Sequence, residues 1–184
     1  MTVSDMSGPE ARTETTVALP DDRIARVSAV IVRVAAGLLF LDNLTWKVPP
    51  HFGADDGSGL YYFTTLAIDH PVVVPFTSII ENVVLPNFGF FGWGVFLVEI
   101  CLAVFLLLGL ATRFWAVVGI AQAVAIFLTV GAAPNEWKWS YFLMVTTLVA
   151  VLGFASGRVL GLDRIVRRRV TGSSLAARAY RAAS

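Results

Sequence analysis

Charged residues are scarce in this sequence: Asp, Glu, Lys and Arg make up 15% of it, against about 25% in an ordinary soluble domain. A normal water-facing exterior is thereby excluded. Cysteine occurs once, as Cys101 within a hydrophobic run, so an intramolecular disulfide, a CxxC redox pair and a cysteine-built zinc site are all unavailable. The two histidines, His51 and His70, fall in one connecting stretch outside the hydrophobic runs. A haem held in a helical bundle normally takes His or Met ligands from the helices, so haem is not expected. With Asp55, Asp56 and Asp69 those histidines match no standard metal-site spacing, and they read as surface residues. There is no Walker motif, GxGxxG fingerprint or nucleophile elbow, and no flavin or iron–sulfur motif. The basic run at 164–169 lies next to a hydrophobic segment and reads as a lipid-headgroup anchor rather than a nucleic-acid site.

What is abundant is apolar. Hydrophobic residues reach 57% and mean hydropathy is +0.73, which assigns the chain to the integral membrane class. We expect an all-α, four-transmembrane-helix bundle with crossings at about 26–45, 91–110, 114–132 and 140–154, since each crossing uses about 20 residues. Residues 1–25 mix Ser, Thr, Pro and charge without an apolar face and read as a flexible cytoplasmic tail, with no cleaved signal peptide. Residues 46–90 form one long outer connection. In it HFGADDGSG reads as a polar loop, and PVVVPFTSIIENVVLPN as an amphipathic interfacial helix too short to span. Trp46, Trp137 and Trp139 read as interfacial anchors. The four-helix membrane domain then covers 26–157, and 158–184 is a basic cytoplasmic tail.

Charge asymmetry sets the topology. With both ends on one side, that side collects Arg12, Arg23, Arg26, Arg113 and every arginine from 158 onward; the other has only Lys47 and Lys138 among six carboxylates. The positive-inside rule then places both termini in the cytoplasm.

Two full charges sit inside hydrophobic runs. Glu99 lies near the middle of residues 93–113, and Arg33 lies in the first crossing, on one helical stripe with Gly37, Phe40, Leu44 and Lys47. A charge near the centre of lipid costs about 2.5–3.5 kcal/mol by insertion scales, so each should find a partner. Arg33 lies on the order of 10 Å deep at 1.5 Å per residue, a depth similar to that of Glu99. Antiparallel neighbouring helices would therefore bring the two together, directly or through water. The other reading is that Arg33 snorkels to the headgroups while Glu99 is protonated, or bonds Gln122 or a hydroxyl.

The order Arg33-x3-Gly37-x2-Phe40 then Lys47, the segment GVFLVEICLAVFLLLGLATRFWAVVGI with Glu99, Gly109 and Arg113, and a last helix with Glu136 and Tyr141 leading to a Gly157-Arg158-x4-Asp163 exit together resemble the DoxX/DoxD family of small four-helix bacterial membrane proteins. The resemblance covers residues 27–165. It implies a membrane subunit of a quinone-linked redox system in the bacterial inner membrane, as DoxD is the small subunit of thiosulfate:quinone oxidoreductase. In that reading the chain carries no redox group of its own, and menaquinone or ubiquinone is the expected cofactor. An apolar slot between helices would admit it, with Trp46, Asp42, Asn43, Lys47, Glu136 and Tyr141 as quinone-binding candidates and Glu99 and Arg33 as the catalytic pair. The lipid bilayer and other membrane or outer-side redox subunits are the implied partners, and a homo-oligomer is left open. The alternative is a noncatalytic anchor or accessory subunit of a larger complex. A four-helix exporter is disfavoured because its membrane carboxylate would have to stand unpaired, and Arg33 argues against that.

Overall fold

The computed structural model describes residues 22–170 and 174–184. The expected flexible tail over residues 1–21 lies outside that range. No strand occurs among the described residues, and the long helices are α1 (Asp22–Asn43), α4 (Phe88–Leu108), α5 (Thr112–Val130) and α6 (Lys138–Phe154). Two shorter ones, α2 (Gly59–Asp69) and α3 (Val74–Ile79), lie in the long connection, and α7 (Leu162–Arg169) and α8 (Leu175–Ala183) follow α6.

The four long helices close a ring in which α1 packs on α4, α4 on α5, α5 on α6 and α6 back on α1. Their shared core is narrow: Ala36, Phe40, Leu102, Ala103, Leu106, Ala116, Ala123, Leu148 and Val151. Small residues let the backbones approach. A Cβ on Gly119 would stand 3.0 Å from Leu148 and 3.2 Å from Leu102, and one on Gly37 would meet Leu107. Large apolar side chains also point outward along these helices, among them Ile31, Leu38, Leu97, Val117, Leu143 and Val149. Helices apolar all round require an apolar surrounding. Three helical stretches are long and apolar enough to cross a bilayer, namely Arg23–Asn43, Val74–Leu108 and Thr112–Val130, while Lys138–Phe154 is apolar but shorter. The chain is a multi-pass membrane protein.

The α4–α5 turn is dictated locally. Gly109 takes φ +66°, its N–H donates to Leu106 O and the Leu110 N–H to Phe105 O. That pair of bonds closes α4 with a left-handed glycine stop. Thr112 then starts α5 at once, so the two helices are antiparallel neighbours.

The long connection is more ordered than its sequence suggests. Where we expected one amphipathic helix, the structure has two, because α2 forms ahead of it. Further, α3 continues through a π turn (Ile80–Val84) and a 3-10 turn (Leu85–Asn87) into α4, giving an unbroken helical stretch from Val74 to Leu108. Pro86 accounts for the irregular turns: it has no N–H to continue the α ladder and its ring crowds the preceding turn. Phe52, 1% exposed, pins the first half of the connection. Its ring packs edge-on to Trp93, where Gly92 leaves space that a Cβ would fill at 2.7 Å. Leu66 of α2 packs with Val130 and Ala133, so the connection folds over its own bundle.

Candidate functional site

Under α2 and α3, at the connection end of the bundle, lies a cavity of about 540 Å³. That is within the range of roughly 300–1,000 Å³ usual for small-molecule sites. Leu39, Phe63, Phe76, Ile80, Val95, Ile126 and Met144 are among its apolar walls, contributed by all four long helices and both helices of the connection. Its polar lining includes Asp42, Asn43, Trp46, Lys47, Glu99, Gln122, Glu136 and Tyr141.

Glu99 has 0% of its surface exposed and Lys47 3%. Lys47 follows the end of α1, so its side chain can fold back along the helix. Its Nζ donates to Asn43 O at 3.0 Å, satisfying a carbonyl left open at the helix end, and to Glu99 Oε2 at 2.5 Å. The other carboxylate oxygen, Oε1, accepts from Asn43 Nδ2 at 3.0 Å and Gln122 Nε2 at 3.2 Å. Trp46 completes the cluster: its indole N–H donates to Asn43 Oδ1 at 3.2 Å, and Lys47 Nζ lies 4.3 Å from its ring centroid, a cation–π distance. The charges on α4 and beyond α1 are thus paired and bonded, the condition under which buried charge is tolerated. Elsewhere in the cavity Tyr141 Oη donates to Glu136 Oε2 at 2.8 Å.

Arg33 is not in this cavity. Its Nη1 donates to Ser156 O at 3.1 Å and its Nη2 to Leu160 O at 2.5 Å, both at the opposite end of the bundle. This corrects the expected Arg33–Glu99 pair. The register explains it: on the antiparallel helices Asn43 stands beside Glu99, Gly37 beside Leu107, and Arg33 beside Gly109. Ten residues of α4 separate Gly109 from Glu99, which is about 15 Å at 1.5 Å per residue. Depth counted from the ends fails because the first turns of α1 run past the end of α4. Of the second reading only the Glu99–Gln122 bond is present: Arg33 is buried against backbone carbonyls instead of snorkelling, and Glu99 is paired with Lys47.

Arg33 instead meets the glycine-rich exit. Gly109 and Gly161 both face its guanidinium, and a Cβ on either would collide with it. Beside them Asp163, fully buried, accepts from the Ala111 N–H at 2.7 Å, from the Thr112 N–H at 3.0 Å and hydroxyl at 2.5 Å, and from Tyr180 Oη at 2.7 Å. It caps the start of α5 from 51 residues beyond Thr112, where a negative charge is favoured. Burial and the Asp163 contact push the Tyr180 phenol above its usual value. On the exposed connection, the Asp56 carboxyl is held below its usual value by bonds from Ser58.

Over residues 29–180 the sequence matches the family described as "TQO small subunit DoxD". The chain belongs to the DoxD family. No curated protein and no solved structure matches it. Within this DoxD chain, Asp42, Asn43, Trp46, Lys47, Glu136, Tyr141 and Glu99, singled out from the sequence, all line the one cavity. The lining from α2 and α3, including Phe63, Thr64 and Phe76, was not anticipated. Gln122, weighed from the sequence as a partner of Glu99, lines the cavity with them; it is the one amide in the apolar run of α5.

Proposed function

We propose that this DoxD-family chain is the quinone-facing membrane subunit of an oxidoreductase, with electrons supplied at the outer side by a partner oxidising a reduced sulfur anion such as thiosulfate. The observation that carries the reading is the cavity: about 540 Å³ with largely apolar walls, and the buried Lys47 and Glu99 with the half-buried Asn43 and Gln122 in its lining. Such a site fits a flat, apolar molecule with a few oxygen acceptors. Lys47, Asn43 and Gln122 supply donors for those oxygens, and the bonded Tyr141–Glu136 pair lies elsewhere in the same lining. When bound, the quinone would supply the two-electron acceptor that the chain's own side chains lack. The Lys47–Glu99 pair holds a proton within the cavity lining.

The same reading assigns four crossings to α1, α4, α5 and α6, in a bacterial inner membrane, with both ends in the cytoplasm. At 17 residues, α6 reaches about 25 Å, close to the bilayer's hydrocarbon thickness. Trp137 and Trp139, 76% and 70% exposed at its start, suit a headgroup boundary, and the arginines of α7 suit the cytoplasmic leaflet. Helices α2 and α3 then lie at the outer interface.

The test is purification from native membranes in mild detergent, with mass spectrometry of copurifying proteins and extracted small molecules. Quinone at about one per chain supports the proposal. A partner complex retaining phospholipid alone would overturn it in favour of a noncatalytic anchor.

A further inference from the structure

We infer that Lys47, rather than Glu99, is the residue that meets a carbonyl oxygen of the quinone, and that Glu99 is the counter-charge holding it in place. This rests on the quinone reading above and assigns roles within it. A quinone offers only acceptors, so it can bond donors alone, and an ionised carboxylate has none to give. Glu99 is moreover already ringed: Oε2 accepts from Lys47 and Oε1 from Asn43 and Gln122, with none of its surface exposed.

Lys47 differs in valency. An ammonium has three N–H bonds; one goes to Asn43 O and one to Glu99. The third is not used by any described protein group, and the side chain lines the cavity. Asn43 and Gln122 each spend one amide hydrogen on Glu99, have a second, and line the same cavity. The carboxylate thus gathers three donors from α1, its following turn and α5 around itself, and the cluster as a whole presents hydrogens to the ligand. The Trp46 ring against Nζ fixes the lysine from another side.

The experiment measures dissociation constants of a short-tailed ubiquinone for the full chain in lipid nanodiscs, by equilibrium dialysis. Because Lys47→Met alone would strand a buried carboxylate, the comparison removes Lys47 only where position 99 is already neutral. Glu99→Gln keeps Lys47 as a donor and should weaken binding by only a few-fold. Adding Lys47→Met to it should weaken binding at least about tenfold further, the loss expected for a hydrogen bond from a charged donor. Combining Lys47→Met with Glu99→Leu in place of Glu99→Gln should change nothing further, since position 99 does not touch the ligand. Equal binding by the Glu99→Gln variant with and without Lys47→Met overturns the assignment of Lys47, and a further tenfold loss with leucine at position 99 shows that this position meets the ligand itself. In both cases the quinone reading stands. Absence of binding by the unaltered chain removes that reading and the inference with it.

Discussion

Replacing Asp163 by Ala should loosen the end of the bundle where α7 and α8 pack. The carboxylate takes hydrogen bonds from the Ala111 N–H, the Thr112 N–H and hydroxyl, and the Tyr180 hydroxyl, and it is fully buried. Each bond to a charged group contributes about 1.5–3 kcal/mol, but bonds converging on one group do not add. Truncating one member of a buried charged network costs about 3–5 kcal/mol, because the stranded partners lose their solvation as well. We take about 4 kcal/mol as the expected loss, which at about 2–4 °C per kcal/mol for a chain of this size lowers the melting midpoint by about 8–16 °C. Cys101, the chain's single thiol, gives the assay: its reaction with a thiol-specific dye during a temperature ramp in mild detergent reports opening of α4. Asp163→Asn keeps one acceptor and should lose about half as much. An Asp163→Ala midpoint within about 2 °C of the unaltered chain would refute the argument that this carboxylate caps α5.

Other outcomes follow from the same geometry. A double-mutant cycle between Arg33→Met and Glu99→Gln should be additive within about 0.5 kcal/mol, since the two side chains lie far apart, whereas Lys47→Met and Glu99→Gln should couple by more than about 1 kcal/mol; coupling in the first cycle would restore the pair expected from the sequence. Gly109→Ala should cost more than about 2 kcal/mol in the thiol-dye assay, because the residue holds φ +66° and a Cβ there would meet the Arg33 guanidinium. Phe52→Ala should cost about 3–5 kcal/mol and expose the connection to protease, given a ring that is 1% exposed. The Tyr180 phenol has its pKa raised in the fold by burial and Asp163. Its contribution is therefore complete below the ordinary tyrosine range and lost as pH rises through and above it, so the melting midpoint should fall above about pH 10 and fall less steeply in Tyr180→Phe.

The membrane class and the long helices were legible because composition and hydrophobic run length are local properties. A 22-residue α1 or a 21-residue α4 needs no partner to be recognised, and the Gly109 stop is written in the sequence because a left-handed turn asks for glycine. Most of the candidate site was legible too. Polar residues in apolar helices are few and expensive, and Glu99 stood out for that reason alone, whereas Asn43, Lys47, Glu136 and Tyr141 were picked out through the family resemblance.

Their pairing was not legible. Whether Glu99 meets Arg33 or Lys47 depends on how far α1 slides along α4, and a shift of ten residues leaves the hydropathy of both helices unchanged. Packing decides that register: Gly37 admits Leu107, and Phe40 enters the core with Leu102 and Leu106. The roof over the cavity was hidden for a related reason. Helix α2 is stabilised by Leu66 against Val130 and Ala133, contacts that exist only once the bundle has formed. The sequence by itself therefore determined the class of the protein, its helices and the polar side chains available to a site; only the tertiary structure decided which of them meet, because helix register and the docking of the connection rest on contacts between residues far apart in the chain.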